Sequence, residues 1–419
     1  MYIPRALEGY VRTENARSRI LLLTGPRQAG KTTLLRKLAR DTGDMRVFVS
    51  LDDPEARELA QTAPRQFFQQ YQPPVMIGEI QNAPELIPAL RACVDASDAN
   101  GLFWLTSSQT HRLKGPVNEH LRGLVRTVSL LSLSSSELEA RPLGAFSVDI
   151  DALRQREGDA RPLAASGVFE RMLKCTIPSL YELYNGDTQR CYADYLSAVV
   201  QKDVCTVLKT DEETFTRFLR RAAAQTGRVL NAPALVKGVG VSPHVAHEWL
   251  KLLAATGLVL LIDPVHTNPL VKIRKLPKLH FTDLGFAAYL LGLADASAVE
   301  RSPLAAPFFE SWIASELYKG FLNAGQPPNF YYYRNKQRRN IDLIIQEGTI
   351  LYPIEIKNSA DITAADTAFF RQQRKRLNDL IRASGASPVF TLGAGCVIGM
   401  ADKVDLIPED DYAVPAWLV

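Results

Sequence analysis

Apolar residues recur along the chain in two rhythms. Short unbroken runs, Ile20 to Leu23 and those within "MRVFVS", "PPVMIG" and "GLFWLT", have the length and the flanking turn residues of buried strands. Between them the apolar positions fall three and four apart, as at Leu34, Leu35 and Leu38, which predicts helices with one buried face. Strand and helix alternate through the first third of the chain. That order predicts an α/β fold with a parallel sheet, whose ligands gather at the carboxyl ends of the strands.

The first strand runs into a stretch with its own chemistry. From Gly25 to Thr32 the residues "GPRQAGKT" satisfy G-x-x-x-x-G-K-[ST] between a strand and a helix. In such a loop the backbone N–H groups wrap phosphate oxygens, and the helix behind presents the positive end of its dipole. Gly25, Pro26, Arg27, Gln28, Ala29, Gly30, Lys31, Thr32 and Thr33 are therefore the expected ATP-binding residues. Lys31 would reach the β and γ phosphates, and the Thr32 hydroxyl would bind Mg2+ directly. At the same sheet edge stand Glu79, the candidate for orienting an attacking water, and Ser108, the candidate sensor of the γ-phosphate. Lys31 and Glu79 are the expected catalytic pair; the plainer reading of Glu79 is a solvated carboxylate at a helix start.

The segments "LLLTGPRQAGKTTLL", "LDDPEARELA", "IGEIQNAPEL", "WLTSSQTHRL" and "LSLLSLSSSEL" together resemble the bacterial and archaeal ATPases that pair an AAA-type (AAA_14-like) core with a C-terminal DUF4143 region. In those proteins the acidic strand ends in DEIQ, the sensor segment reads TGS, and an arginine follows a later Gly. This chain departs at each place, with Gly78, Ser107 and Leu124. The resemblance implies an ATP and Mg2+ site in which binding survives better than turnover. Arg122 and Arg126 stand near the missing arginine, and each reads equally well as a surface charge. Asp52 and Asp53 end a strand that does not adjoin the P-loop strand in AAA-type sheets, so they are not expected to replace the lost acid.

Beyond residue 142 the rhythm weakens. Residues 143–168 mix charge with small residues and read as a linker or mobile insertion, and helical spacing resumes with Tyr195, Val199, Lys202 and Val204. Residues 215–263 carry three helical segments and a strand, with Gly240 in a turn and Ser242 as an N-cap, the grammar of a winged helix. In a DNA-binding version its groove-facing residues would be Pro243, His244, His247, Glu248 and Lys251, but this face is not strongly basic and better suits a structural or protein-contact role; Lys272, Arg274, Lys275 and Lys278 offer phosphate contacts or a solvated strand face. A later helix carries Glu310 and Glu316, six residues apart and so on different faces. Two strand-like runs follow, separated by a turn at Glu347 and Gly348, with Asp342 on one and Glu355 and Lys357 on the other. Asp followed by E-x-K on an adjacent strand resembles the PD-(D/E)xK nuclease core, in which Asp342 and Glu355 would hold Mg2+ and Lys357 would assist. The same groups also suit a salt-bridged fold remnant without cleavage. Arg371, Arg374, Lys375 and Arg376 cluster on a helix beside them, and the tail after the last strand reads as loosely structured.

The expected layout is thus a P-loop AAA-type sheet domain at 1–142, a linker and helical lid at 143–208, a winged-helix-like domain at 209–294 and a nuclease-like DUF4143 region at 295–419. A length of 419 residues requires more than one core. The net charge of +4 permits DNA as a partner without pointing to it, and leaves a protein partner or an oligomer equally open. Five dispersed cysteines exclude a disulfide framework, and with no apolar leader or span the expected location is cytoplasmic, with no membrane partner. Two functions remain open: a weak or partner-dependent ATPase coupled to nucleic acid, and a non-hydrolysing nucleotide-binding regulator with an inactive nuclease-like region.

Overall fold

The computed structural model describes residues 2–141, 143–198, 210–265, 276–334, 340–383, 390–407 and 411–419. The expected α/β order is realised in a five-stranded sheet of β1 (Ile20–Thr24), β2 (Val47–Ser50), β3 (Val75–Gly78), β4 (Phe103–Ser107) and β5 (Val125–Ser129). The strand order is β2-β3-β4-β1-β5, and every pairing is parallel. β1, β3 and β4 are buried along their whole length because helices cover both faces. On one face Leu34, Leu35 and Leu38 of the helix Lys31–Thr42 pack with Leu7 and Val11 against Leu21, Leu23, Met76 and Trp104. On the other, Ile20, Leu22, Ile77 and Leu105 meet Phe67, Ile87, Leu90 and Val94. Two strands, β3 and β4, separate β2 from β1, so Asp52 and Asp53 end a strand that does not adjoin the P-loop strand, as the resemblance implied.

The second half forms a ten-stranded mixed sheet. Its strands are β6 (Arg228–Val229), β7 (Val259–Pro264), β8 (Lys278–Phe281), β9 (Phe330–Arg334), β10 (Asn340–Glu347), β11 (Ile350–Ile356), β12 (Thr391–Leu392), β13 (Cys396–Gly399), β14 (Asp405–Ile407) and β15 (Asp411–Pro415). The order is β14-β15-β13-β11-β10-β9-β7-β8-β6, with β12 beside β11. β7 pairs with β9 in parallel, Asp263 opposite Tyr331, so the strand that follows the three middle helices is fused to the C-terminal sheet. One apolar core runs from Phe146 to Val419, and it does not divide near residues 208 or 294.

Two expectations are corrected here. The stretch expected as a linker contains the helices Ile150–Asp159 and Ala165–Met172, with Phe146, Val148, Leu153, Phe169 and Met172 inside the large core. The first of these helices buries only Leu153, too little to leave a period in the sequence. The tail is ordered as well: β15 pairs with β13, and Trp417 and Leu418 are buried. No described helix is long and apolar enough to cross a membrane. Cys175, Cys191 and Cys396 are buried free thiols and Cys93 is half-buried, whereas Cys205, Val199, Lys202 and Val204 lie outside the described residues.

The two halves meet at residues 130–137. Arg5 and Glu137 form a buried ion pair at 3.0 Å. Glu137 also accepts from the Ala6 and Ser134 N–H groups, at 2.8 Å each, within a capping box that starts the helix Ser135–Leu138. From the other half, Glu316 accepts from the Ser135 N–H at 2.7 Å, and Lys319 donates to the Leu133 carbonyl at 3.1 Å. Removing one partner of a buried pair strands the other charge. Glu137→Ala should therefore lower the unfolding free energy by about 3–5 kcal/mol in urea titrations; a loss under about 1 kcal/mol would show that water reaches Arg5.

Candidate functional site

β1 ends at Thr24 and the chain passes so close to Leu130 that a β-carbon on Gly25 would collide with the Leu130 carbonyl oxygen. Only glycine fits there. Gly30, at φ +89°, opens the helix Lys31–Thr42 with no side-chain cap, which leaves first-turn N–H groups available to an anion. The Lys31 ammonium folds back onto the Gly25 and Pro26 carbonyls, at 2.9 and 2.7 Å. Arg5 donates to the Ala29 carbonyl at 2.7 Å and to that of Leu131 at 2.8 Å, so it fixes the loop against the 130–137 segment. Gln28 takes a positive φ of 59° and accepts from the Ser179 hydroxyl at 3.3 Å. Thr32 is half-buried in the first turn and Thr33 is exposed.

Thr24 pairs with Ser107 across β1 and β4, which brings Ser108 beside the loop. Glu79, just past β3, holds φ at +54° and donates its N–H to the Thr106 hydroxyl at 3.2 Å. Its carboxylate accepts from the Ser108 hydroxyl at 2.7 Å and from the Gln81 amide at 2.6 Å. Burial pushes the Glu79 carboxyl up, but Lys31, the Gln81 and Ser108 hydrogen bonds and Arg27 outweigh it and hold Glu79 below its ordinary value. The Lys31, Glu79 and Ser108 positions expected from the sequence thus converge, and Glu79 is not a solvated helix-start carboxylate. Gln81 and Arg5 were missed. Gln81 stood in the EIQ segment as a recognisable motif position, whereas no local pattern marks Arg5.

Gly78 is shaped by a neighbour on β2. A β-carbon there would lie 3.3 and 3.4 Å from the Phe48 ring, and the Arg36 guanidinium stacks 4.1 Å above the same ring. An aspartate side chain would enter that space. Arg126 is held by Glu14 at 2.6 Å and by the Tyr10 hydroxyl, while Arg122 is exposed. Asp53 caps the helix Pro54–Thr62, and Asp52 accepts from Asn82 at 3.1 Å.

The second group of chemistry-bearing residues surrounds β10 and β11. Leu343 pairs with Ile354, which sets Asp342 beside Glu355 on adjacent strands. Lys357, one residue past β11, contacts Glu355 at 3.0 Å. Lys278, expected to contact phosphate, instead lies buried between Glu310 at 2.7 Å and Asp342 at 3.0 Å. Asn340 also donates to Asp342. Glu310 and Glu316 point to different places, as their spacing required. Burial, with Asp342 nearby, pushes Glu355 up to about 8; burial likewise raises Glu310 to about 8 against the pull of Lys278. Of the other basic candidates, Lys272, Arg274 and Lys275 lie outside the described residues. Pro243, His244, His247, Glu248 and Lys251 are exposed on the helix Pro243–Ala255. Arg371, Arg374 and Lys375 line a groove of about 590 Å³ with Arg382, and Arg374 is paired with Asp411.

His280 faces this cluster from β8, two residues from Lys278, and its Nδ1 lies 3.1 Å from the Ser311 hydroxyl. Burial, with Lys278 adding to it, drives the ring down to about 3. The folded value lies below the unfolded one, so the unfolded chain takes up the proton first and stability is lost as pH falls below about 6.5. Relative to His280→Gln, the native protein should lose about 1.4 kcal/mol per pH unit between roughly pH 6 and 4 in denaturant unfolding. Parallel pH profiles would mean that the ring is hydrated.

Comparison with known proteins gives three family matches: an AAA domain (AAA_14) at residues 17–139, a domain of unknown function (DUF8612) at 168–297 and another (DUF4143) at 306–409. Two uncharacterized proteins, from Mycobacterium bovis and Mycobacterium tuberculosis, are each 26% identical over 366 residues, covering 87% of this chain and 75% of theirs. Among solved structures, a Walker-type ATPase of Pyrococcus abyssi is 15% identical with a TM-score of 0.42, covering 69% of this chain and 96% of that one. The Thermotoga maritima RuvB Holliday junction branch migration motor is 18% identical with a TM-score of 0.30, covering 61% of this chain and 85% of that one. The chain therefore carries an AAA_14-type match in its N-terminal third and a DUF4143 match in its C-terminal third.

Proposed function

We propose that this chain is an ATP-binding AAA-type protein with weak or partner-dependent hydrolysis, which couples its nucleotide state to a nucleic-acid-associated C-terminal region. The observation that carries the reading is the convergence of an uncapped helix start, Lys31, Glu79 and Ser108 at one sheet edge. The loop fits a triphosphate, and the Thr32 hydroxyl would hold Mg2+, which neutralises charge on the phosphates when bound. Lys31 would leave the Gly25 and Pro26 carbonyls for phosphate oxygens. Glu79, kept ionised, would orient the attacking water while Ser108 fixes its position.

Weak turnover is argued from Gly78 and from the Phe48 ring that fills the space an acid would use. The same observation favours the second reading, a non-hydrolysing nucleotide-binding regulator. Coupling is argued from the helix Ala305–Asn323, where Glu316 and Lys319 hold residues 133–135 beside the P-loop and Glu310 reaches the Asp342 cluster. Nucleic-acid association draws on the exposed His244, His247 and Lys251, in a winged-helix-like reading of the middle region, and on the basic groove beside a PD-(D/E)xK-like core. The reading places the protein in the cytoplasm, with an oligomer or protein partner supplying the arginine that Leu124 lacks.

Mg2+-dependent ATP hydrolysis, measured with and without DNA, tests this proposal with Lys31→Ala as the blank. Slow turnover that DNA raises and Lys31→Ala abolishes is expected; equal ATP affinity in the two proteins would sink the reading. Gly78→Asp alone should cost about 1–3 kcal/mol of stability by overpacking against Phe48. Joined with Phe48→Leu it should raise turnover, and an unchanged rate in that double variant would refute the role given to Gly78.

A further inference from the structure

We infer that Lys278 is a built-in counter-ion that occupies the place of a divalent cation in the C-terminal carboxylate cluster, leaving that centre closed to metal. The inference rests on the nuclease-like reading of this region and specifies its state. Metal-assisted phosphodiester cleavage needs carboxylate oxygens converging on a cation at about 2.0–2.2 Å. Most of the oxygens that converge here are already taken. The Lys278 ammonium lies 2.7 Å from Glu310 Oε1, 3.0 Å from Asp342 Oδ1 and 3.3 Å from the Asp342 carbonyl oxygen, so its three donors meet three oxygens. The second Asp342 oxygen accepts from the Ile356 N–H at 3.1 Å, and Glu355 Oε1 is paired with Lys357 at 3.0 Å. Among the described residues no group of three His, Cys, Asp or Glu side chains is placed to hold a metal ion. The residues present therefore do not fit Mg2+ as the sequence pattern suggested.

Buried carboxylates demand a cation, and the chain supplies its own. Lys278 is 3% exposed and rises from β8, outside the strands that carry the E-x-K pattern. One ammonium there ties β8 to β10 and to the helix Ala305–Asn323. Among the described residues the ion-pair partners of Glu310, Asp342 and Glu355 are Lys278 and Lys357, and Glu355 Oε2 is buried without a hydrogen-bond partner. Removing Lys278 should turn an occupied cation position into one that a divalent ion can enter.

The test is a Mn2+ titration of the full-length protein without nucleotide, with bound ion read by electron paramagnetic resonance. The native protein should bind no Mn2+ at this cluster. Lys278→Met should gain one Mn2+ per chain and lose it again when combined with Asp342→Asn. Mn2+ bound by the native protein and lost in Asp342→Asn would overturn the inference, as would a folded Lys278→Met that gains none. If Lys278→Met does not fold, the native protein and Asp342→Asn decide the question alone. A parallel plasmid-nicking assay separates this inference from the reading beneath it. A Lys278→Met protein that binds Mn2+ without nicking DNA leaves the counter-ion in place and removes the nuclease-like reading; nicking by the native protein that Glu355→Gln abolishes does the reverse.

Discussion

Arg5 and Glu137 are shut away from water together, and the phosphate-binding loop hangs from them. Two charges taken out of water repay their desolvation only if their remaining donors and acceptors are met. Here they are met by backbone: Ala29 and Leu131 carbonyls for the guanidinium, Ala6 and Ser134 N–H groups for the carboxylate. The pair thereby fixes three segments at once, the N-terminal strand-lead, the P-loop and the 130–137 crossing. The C-terminal half grips that crossing through Glu316 and Lys319, so its position follows from the same pair.

The Arg5–Glu137 pair and the cluster around Lys278 are balanced differently. Arg5 and Glu137 cancel as charges, whereas around Lys278 burial raises Glu310 and Glu355 to about 8, so the cluster is balanced partly by protonation. That cluster is closed over by β8, β10, β11 and a long buried helix. At the P-loop edge two cations, Lys31 and Arg27, act on the single carboxylate of Glu79.

What the sequence disclosed was local. β1, β3 and β4 were legible because strands buried on both faces are continuous apolar runs, and the P-loop because its spacing is fixed by phosphate geometry. Asp342 and Glu355 were legible because a short turn sets the register between their strands. Arg5 was hidden, since the carbonyl it holds lies 24 residues away and its anion 132. Lys278 was visible as a charge but not as a buried one: solvent exposure depends on a helix and a strand that come later in the chain. The stretch after residue 142 misled because its first helix anchors by a single leucine and a capping aspartate, neither of which makes a period.

The pairing of β7 with β9 has a mechanical meaning. Sheet hydrogen bonds cross from the middle region into the C-terminal one, and the large core that starts at Phe146 reaches Val419. A sheet whose hydrogen bonds run from one region into the next resists bending between them, so the middle and C-terminal regions are built to move as one body.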